Sequence, residues 1–563
     1  MTPHPAIRDV PLDEPSDFLR LGDDIVLEKD VMVRMHDGVS VAVDVYRPAA
    51  SGKYPALFAT SPYRKDLAYL PPWSAYRTRE TTDPCWWARQ GYCYVWGDTR
   101  GSGKSTEGMW RVFDTAEQHD LYDVIEWAAQ QDWCTGKVGM VGESYFAMVQ
   151  WFAAIQNPPH LACIAPFDAN CDLYRHFVYH GGLWAMEFVS HWISKVRTRT
   201  LRDAPGEKPA NVMGYDVIGE MLRHPLHDDF WNERSAALRL HEIKVPVYSI
   251  GFWQSGGVHP ASNVFGYEQV SGPKKLTFYG APGSAQRLFA GKELHLELKR
   301  WYDYWLKGID TGIMSEPPVR YQARPDGEWR TLPSWPPPQV SHTRLYLAPG
   351  KAGAVESLND GVLSWEEPAV EGSSTTYSYP HEEWLGWPGG GTAVMRPDGT
   401  LDPLAKISTW STPPLDRDVE ILGPIVLKLW ASSDQTDTDF LVKLADQAPA
   451  GERGSAPPGI TKGWLKASHR EIDPARSRPD RPWHPHTKEE PLTPGEVYEF
   501  QIEIWPTSWT FKRGHRIRLE IAPGDSPPID GGHDWGVKFG SDTLYHSSAY
   551  PSHLLLPVMP RAD

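Results

Sequence analysis

Lys137-Val138-Gly139-Met140-Val141-Gly142-Glu143-Ser144-Tyr145, continuing into Phe146-Ala147-Met148-Val149-Gln150-Trp151, reads as a buried strand that turns sharply into a helix. A serine held on such a turn stands at the C-terminal edge of a sheet, beside the backbone N–H groups that open the helix. Gly142 lets the chain turn without a Cβ in the way. A serine hydroxyl is a poor nucleophile alone, so this reading also requires a base and an oxyanion hole nearby. The plainer alternative is a serine that only caps the helix behind it.

Outward from Ser144, the pattern supports a sheet covered by helices. HDLYDVIEWAAQQ, at 119–131, carries apolar residues at helical spacing and leads into the strand. Upstream, YPALFATSPYRK and YCYVWGDTRGSG are short apolar runs ending in Gly/Pro/Ser loops, with a helical stretch near Cys85 between them. Residues 24–48 read as two strands around His36-Asp37-Gly38. Downstream, 168–240 is helical and aromatic and is expected to form a cap. VPVYSIGFW and KKLTFYGAP resume buried strands, and the amphipathic ELHLELKRWYDYWLK ends at Gly308. After 315, short β-like segments separated by Pro/Gly turns predict an antiparallel sandwich or jelly roll, entered through Ser334-Trp335-Pro336-Pro337-Pro338. The expected class is therefore α/β: an α/β-hydrolase domain over 1–167 and 241–314, a helical cap over 168–240, and an all-β jelly roll over 315–563.

Several strings fall in the order of one family. They are Ser61-Pro62-Tyr63-Arg64-Lys65, Asp98-Thr99-Arg100-Gly101-Ser102-Gly103-Lys104-Ser105, the elbow, Trp301 to Gly308, Gly423-Pro424, Asp437 to Phe440 and Phe511 to Ile517. The chain resembles the cocaine esterase-like and Xaa-Pro dipeptidyl-peptidase (CocE/NonD) hydrolases over most of its length. The resemblance implies ester or amide hydrolysis through an acyl-enzyme, with Ser144 as nucleophile and an oxyanion hole made by the Tyr63 hydroxyl and the Tyr145 backbone N–H. A phenol suits that role because it donates one directed hydrogen bond to developing negative charge.

Two places depart from the family pattern. Where the family has its acid, Gly251-Phe252-Trp253-Gln254-Ser255 offers Gln254. Where it has its histidine, Gly280-Ala281-Pro282-Gly283-Ser284 offers Ser284. The elbow also carries Ala147 where the family favours glycine. Without an imidazole and its acid, a different group has to handle the proton of Ser144. His259, in Gly257-Val258-His259-Pro260, is the expected non-standard base; the plain reading is a solvated loop histidine. His180, Trp184, Trp253 and Gln254 are the expected substrate contacts, with core packing as the default for the aromatic ones. His176 and His191 fall in the cap and are candidates to line the substrate cavity, His295 is expected to be packed or exposed on its helix, and His484-Pro485-His486 is expected on a proline-rich surface loop. Glu143 neighbours the nucleophile, but an elbow usually turns that side chain away.

Composition narrows the function classes. Lys and Arg total 56 against 72 Asp and Glu, a net charge of −16, which disfavours nucleic acid and anionic membranes as partners. No apolar run approaches the ~18 residues of a membrane span. Five scattered cysteines form no CxxC pair, and with no secretory signal in view a reduced cytoplasmic protein is expected. No cofactor or metal is expected, since neither a Walker nor a Rossmann glycine pattern stands in a strand–helix context. The expected partner is a small-molecule substrate with a bulky or aromatic group; a homo-oligomer stays open. Acyl transfer at Ser144 ranks first. A repurposed site doing a cyclisation, isomerisation, elimination or decarboxylation ranks second, and an inactive binding protein third.

Overall fold

The structure is a computed structural model that describes residues 21–560, apart from 70–79, 201–213, 254–257, 281–290, 356, 380–406, 450–458, 525–532 and 534–538. Ten strands form the first sheet: β1 (Ile25–Arg34), β2 (Ser40–Pro48), β3 (Tyr54–Ser61), β4 (Cys93–Asp98), β5 (Cys134–Glu143), β6 (Leu161–Phe167), β7 (Val247–Phe252), β8 (Lys274–Tyr279), β9 (Val319–Gln322) and β10 (Trp329–Leu332). Their order is β1-β2-β4-β3-β5-β6-β7-β8-β9-β10. The run β4-β3-β5-β6-β7-β8-β9 is parallel, while β1, β2 and β10 attach antiparallel.

A parallel sheet needs cover on both faces, and its central strands are accordingly apolar throughout. β4 is buried along its whole length, as are the last six residues of β5. The cover comes from α1 (Pro84–Arg89), α2 (Thr115–Ala129), α3 (Tyr145–Ala154), α7 (Pro260–Gln269) and α8 (Lys292–Lys307). Helix α8 ends, as its sequence predicts, on Gly308 in the left-handed region at φ 71°. Between β6 and β7 lie α4 (Met186–Thr200), α5 (Val217–Arg223), α6 (Asp229–Glu233) and a two-residue hairpin pairing Tyr179–His180 with Leu183–Trp184. These form the expected cap.

The β-rich domain is a second sheet of eleven strands between Ser341 and Val558. Its longest pair sets Val419–Ser433 against Tyr498–Phe511, and His553–Val558 pairs with both Ser341–Ala348 and Val419–Ser433, so the sheet returns on itself around an apolar core. Sheet membership differs from the sequence expectation at one boundary. β9 and β10, beyond residue 314, extend the hydrolase sheet, so the change of sheet falls between Leu332 and Ser341. The reason is long-range: β9 lies parallel to β8, with Leu276 opposite Val319, a pairing that local pattern does not reveal. Among the described residues no helix is long and apolar enough to cross a membrane.

Candidate active site

Strand β5 ends at Glu143 and α3 begins at Tyr145, which leaves Ser144 alone on the turn at φ 56°, ψ −120°. A non-glycine residue there carries strain of about 1–3 kcal/mol and has to be held by its surroundings. The Ser144 N–H donates to the Phe167 carbonyl at 3.0 Å and the Glu143 N–H to the Glu80 carbonyl at 2.8 Å. Gly142, at φ 147°, has no room for a side chain, since a Cβ would lie 2.2 Å from Phe146 Cβ. The Ser144 side chain makes no capping hydrogen bond to α3, so the plain capping role does not hold. Its hydroxyl stands beside the first N–H groups of a helix, which have no partner within the helix.

Tyr63 reaches the same place from the loop after β3, and two sequence strings hold that loop. The Asp98 carboxylate at the end of β4 accepts the N–H of Lys65 at 2.7 Å and of Lys104 at 2.9 Å. The Lys65 ammonium is buried, donating to Asp44 at 2.7 Å and also to Asp30. Burial raises the Asp98 carboxyl to about 6 against the opposing pull of Lys65. The segment 98–105 is thus a clamp on the Tyr63 loop. The Tyr63 hydroxyl oxygen accepts from Trp192 Nε1 at 2.9 Å. A phenol that accepts in this way still carries its own O–H donor.

The Tyr145 side chain is a structural pin. Its hydroxyl donates to Glu117 Oε1 at 2.5 Å and accepts from Trp110 Nε1 at 3.0 Å, while its ring stacks on Phe113 at 4.4 Å. Burial pushes the Glu117 carboxyl up to about 8. The Tyr145 backbone N–H remains the part of this residue suited to an oxyanion.

Ser144, Tyr63, Tyr145 and His259 line one cavity of about 450 Å³, together with Glu80, Glu143, Met148 and Asp168. Phe177, Phe188, His191, Trp192 and Lys195 close it from the cap side. The aromatic wall is packed edge to face, with Phe177 5.2 Å from Trp192 and 5.3 Å from Phe188. His259 opens α7, and burial alone pushes its imidazole down to about 3, so it is neutral at pH 7. It is half-buried at the start of that helix. Its Nδ1 lies 3.5 Å from the Asn170 amide, whose Oδ1 as placed is buried without a partner. The Asn170 amide meets the imidazole at Nδ1 and not at Nε2. Among the described residues no hydrogen bond joins His259 to Ser144.

Other expected contacts lie elsewhere. His180 stacks on Trp464 of the β-rich domain at 4.7 Å and meets His533 at 2.9 Å. Trp184 packs against Tyr179 at 5.4 Å, and Trp253 stacks on Phe278 at 3.9 Å while donating to the Gln322 carbonyl. None of these three lines the Ser144 cavity. Packing partners distant along the chain hold His180 and Trp253, and a local hairpin holds Trp184. Gln254 and Ser284 lie outside the described residues. His484 and His486, expected on a surface loop, are buried: His484 sits 2.8 Å from the carbonyls of Glu471 and Gln501, and His486 is 3.0 Å from His469. His295 is packed, its Nε2 accepting the Asp83 N–H at 3.2 Å. Sequence reasoning missed three cavity carboxyls. Asp168 directly follows β6 at the edge where Ser144 stands, and its Oδ1 accepts the Phe252 N–H at 2.9 Å. Glu143 is among the residues lining the cavity, and Glu80 lines it from the segment before α1. Among the described residues no group of three or more His, Cys, Asp or Glu could hold a metal ion.

A strand–serine–helix elbow on a parallel sheet of this order, beneath a helical cap, defines an α/β-hydrolase. Residues 37–296 match the X-Pro dipeptidyl-peptidase (S15) family, and 311–555 match the X-Pro dipeptidyl-peptidase C-terminal non-catalytic domain. The chain belongs to the cocaine esterase-like and Xaa-Pro dipeptidyl-peptidase (CocE/NonD) family of α/β-hydrolases. It is 28% identical to the cocaine esterase of Rhodococcus sp. (strain MB1 Bresler), over 94% of this chain and 98% of that one. It is similar in structure to a CocE/NonD family hydrolase from Staphylococcus aureus, with a TM-score of 0.80 and 27% identity, covering 97% of this chain and 95% of the other. An aminopeptidase from the marine sediment archaeon Thaumarchaeota archaeon shares the fold, with a TM-score of 0.73 and 18% identity over 95% of this chain and 97% of the other.

Proposed function

We propose that this hydrolase transfers an acyl group through Ser144. The Oγ attacks an ester or amide carbonyl, and the Tyr63 hydroxyl and Tyr145 N–H receive the charge that develops on the carbonyl oxygen. One observation carries the reading: a strained Ser144, spent on no cap, lines the same cavity as the Tyr63 clamped beside it. His259 takes the Ser144 proton at Nε2, oriented through Nδ1 by Asn170. An amide can fix a tautomer, although it lends no charge to the imidazolium, which makes His259 a weaker base than one backed by a carboxylate. The wall of Phe177, Phe188 and Trp192 supports a bulky or aromatic acyl part. The esterase name of one relative and the dipeptidyl-peptidase family match support an ester or amide as the bond cleaved. A fluorophosphonate should modify Ser144, and Ser144→Ala should lose turnover of an aromatic ester; an active alanine variant would sink the reading.

A second reading has a specific observation behind it. Residues 254–257 are Gln-Ser-Gly-Gly and 281–290 are Ala-Pro-Gly-Ser-Ala-Gln-Arg-Leu-Phe-Ala, with neither a carboxylate nor a histidine between them. A site so altered could polarise a carbonyl for a cyclisation, isomerisation, elimination or decarboxylation without acylating Ser144. Activity kept in Ser144→Ala but lost in Tyr63→Phe would favour it.

A further inference from the structure

Glu143 stands immediately before Ser144, is 5% exposed, and lines the same cavity. Among the described residues its Oε2 has no hydrogen-bond partner. Two further carboxyls, Glu80 and Asp168, line that cavity with it. A buried carboxylate with an unsatisfied oxygen is costly, and like charges crowded together hold on to a proton. We propose that Glu143 is the general acid of this site, handing its proton to the leaving oxygen or nitrogen while Ser144 is acylated. The proposal rests on the reading that Ser144 forms an acyl-enzyme.

Burial first, then the charges of Glu80 and Asp168, push the Glu143 carboxyl well above the ordinary range. The other titratable groups lining the cavity are Tyr63 from the loop after β3, Tyr145 at the start of α3, His191 and Lys195 one turn apart on α4, and His259 at the start of α7. The two on α4 are exposed, whereas Glu143 and Asp168 are buried.

The step balances. The Ser144 Oγ bonds to the acyl carbon and gives its proton to His259, while the bond from that carbon to the leaving atom breaks. The leaving atom keeps the bonding pair and takes the Glu143 proton. The site then holds a carboxylate and an imidazolium, which offset each other and make up for the missing acid behind His259. In deacylation water gives a proton to Glu143 as its oxygen bonds to the acyl carbon, and the imidazolium returns a proton to Ser144 Oγ. Each residue ends as it began.

An acid matters only when the leaving group needs a proton, and that distinguishes catalysis from a structural role. With ethyl benzoate and p-nitrophenyl benzoate as probes, Glu143→Gln should lower kcat/KM for the ethyl ester by about 10²–10⁴-fold. It should change the p-nitrophenyl ester, whose phenolate leaves unaided, by less than about fivefold, because oxyanion and binding contacts stay in place. Fluorophosphonate modification of Ser144 should persist in Glu143→Gln, which reports a folded elbow. Infrared difference spectra at pH 7 should show a protonated carboxyl band in the wild type that Glu143→Gln lacks. Equal losses on both esters, no loss on the ethyl ester, or no such band would overturn the proposal. If the wild type itself is not modified at Ser144, the acyl-enzyme reading fails first and takes the proposal with it.

Discussion

Replacing Tyr63 by phenylalanine removes one hydroxyl and separates two effects that the structure ties together. The first is catalytic. Losing one oxyanion donor costs about 2.7–4 kcal/mol, or 10²–10³ in kcat, when the donor acts on charge that exists only in the transition state. The second is structural. Trp192 Nε1 donates to that hydroxyl at 2.9 Å and is buried, so Tyr63→Phe leaves an indole N–H unsatisfied. That costs about 1–3 kcal/mol of stability. Trp192→Phe removes the N–H and keeps the phenol. It should therefore hold kcat within about tenfold, since it removes packing and aim but leaves the donor. The assay is kcat and KM for p-nitrophenyl benzoate with a thermal melt on each variant. A Tyr63→Phe protein with unchanged kcat, or with the loss confined to KM, would refute an oxyanion role for Tyr63.

Two further outcomes are expected. Asp98→Asn keeps an acceptor for only one of the Lys65 and Lys104 N–H groups, turns an NH₂ toward the other, and removes a charge near the buried Lys65 ammonium. It should cost about 3–5 kcal/mol, read from the denaturant midpoint, and Ser144 modification should slow with it. The second is an acid limb in stability. His176, buried against the Ser262 hydroxyl at 2.7 Å, is held down at about 4 by desolvation. The unfolded chain takes up that proton below about 6.5, so the stabilisation is complete above this pH and falls as the pH drops toward the folded value, by up to about 1.4 kcal/mol per unit. Buried carboxyls raised by desolvation, such as Glu117 at about 8, work in the opposite direction. The comparison is therefore between wild type and His176→Gln. The wild type should lose melting temperature relative to the variant between pH 6.5 and 4.5, and parallel curves would contradict the assignment.

The parts of the site readable from sequence are those set by local chemistry. Gly142 and Ser144 announce the elbow because the turn admits few other residues, and Asp37-Gly38 announces the β1–β2 hairpin, where Arg34 pairs with Ser40. Tyr63 was legible only through its string, and Asp98 explains that string by holding both of its neighbouring loops. What depends on distant partners was not legible. His180 and Trp253 sit among aromatic residues in every reading, yet their sites are fixed by Trp464, 284 positions away, and by Phe278 across β7 and β8. The buried His484–His486 pair shows the same limit, since its environment is built by the meeting of cap and β-rich domain. Glu143 and Asp168 were missed for another reason. Each follows or ends a buried strand, and whether such a carboxyl meets a cavity depends on the cap laid over it, to which Phe177 and Trp192 belong.

The central claim is that Ser144 is an activated nucleophile. Incubation with a fluorophosphonate followed by intact mass and peptide mapping tests it most directly. The account predicts one adduct per chain, on Ser144, absent from Ser144→Ala and slowed in His259→Ala. An unmodified wild type, or an adduct that persists in Ser144→Ala, would contradict it.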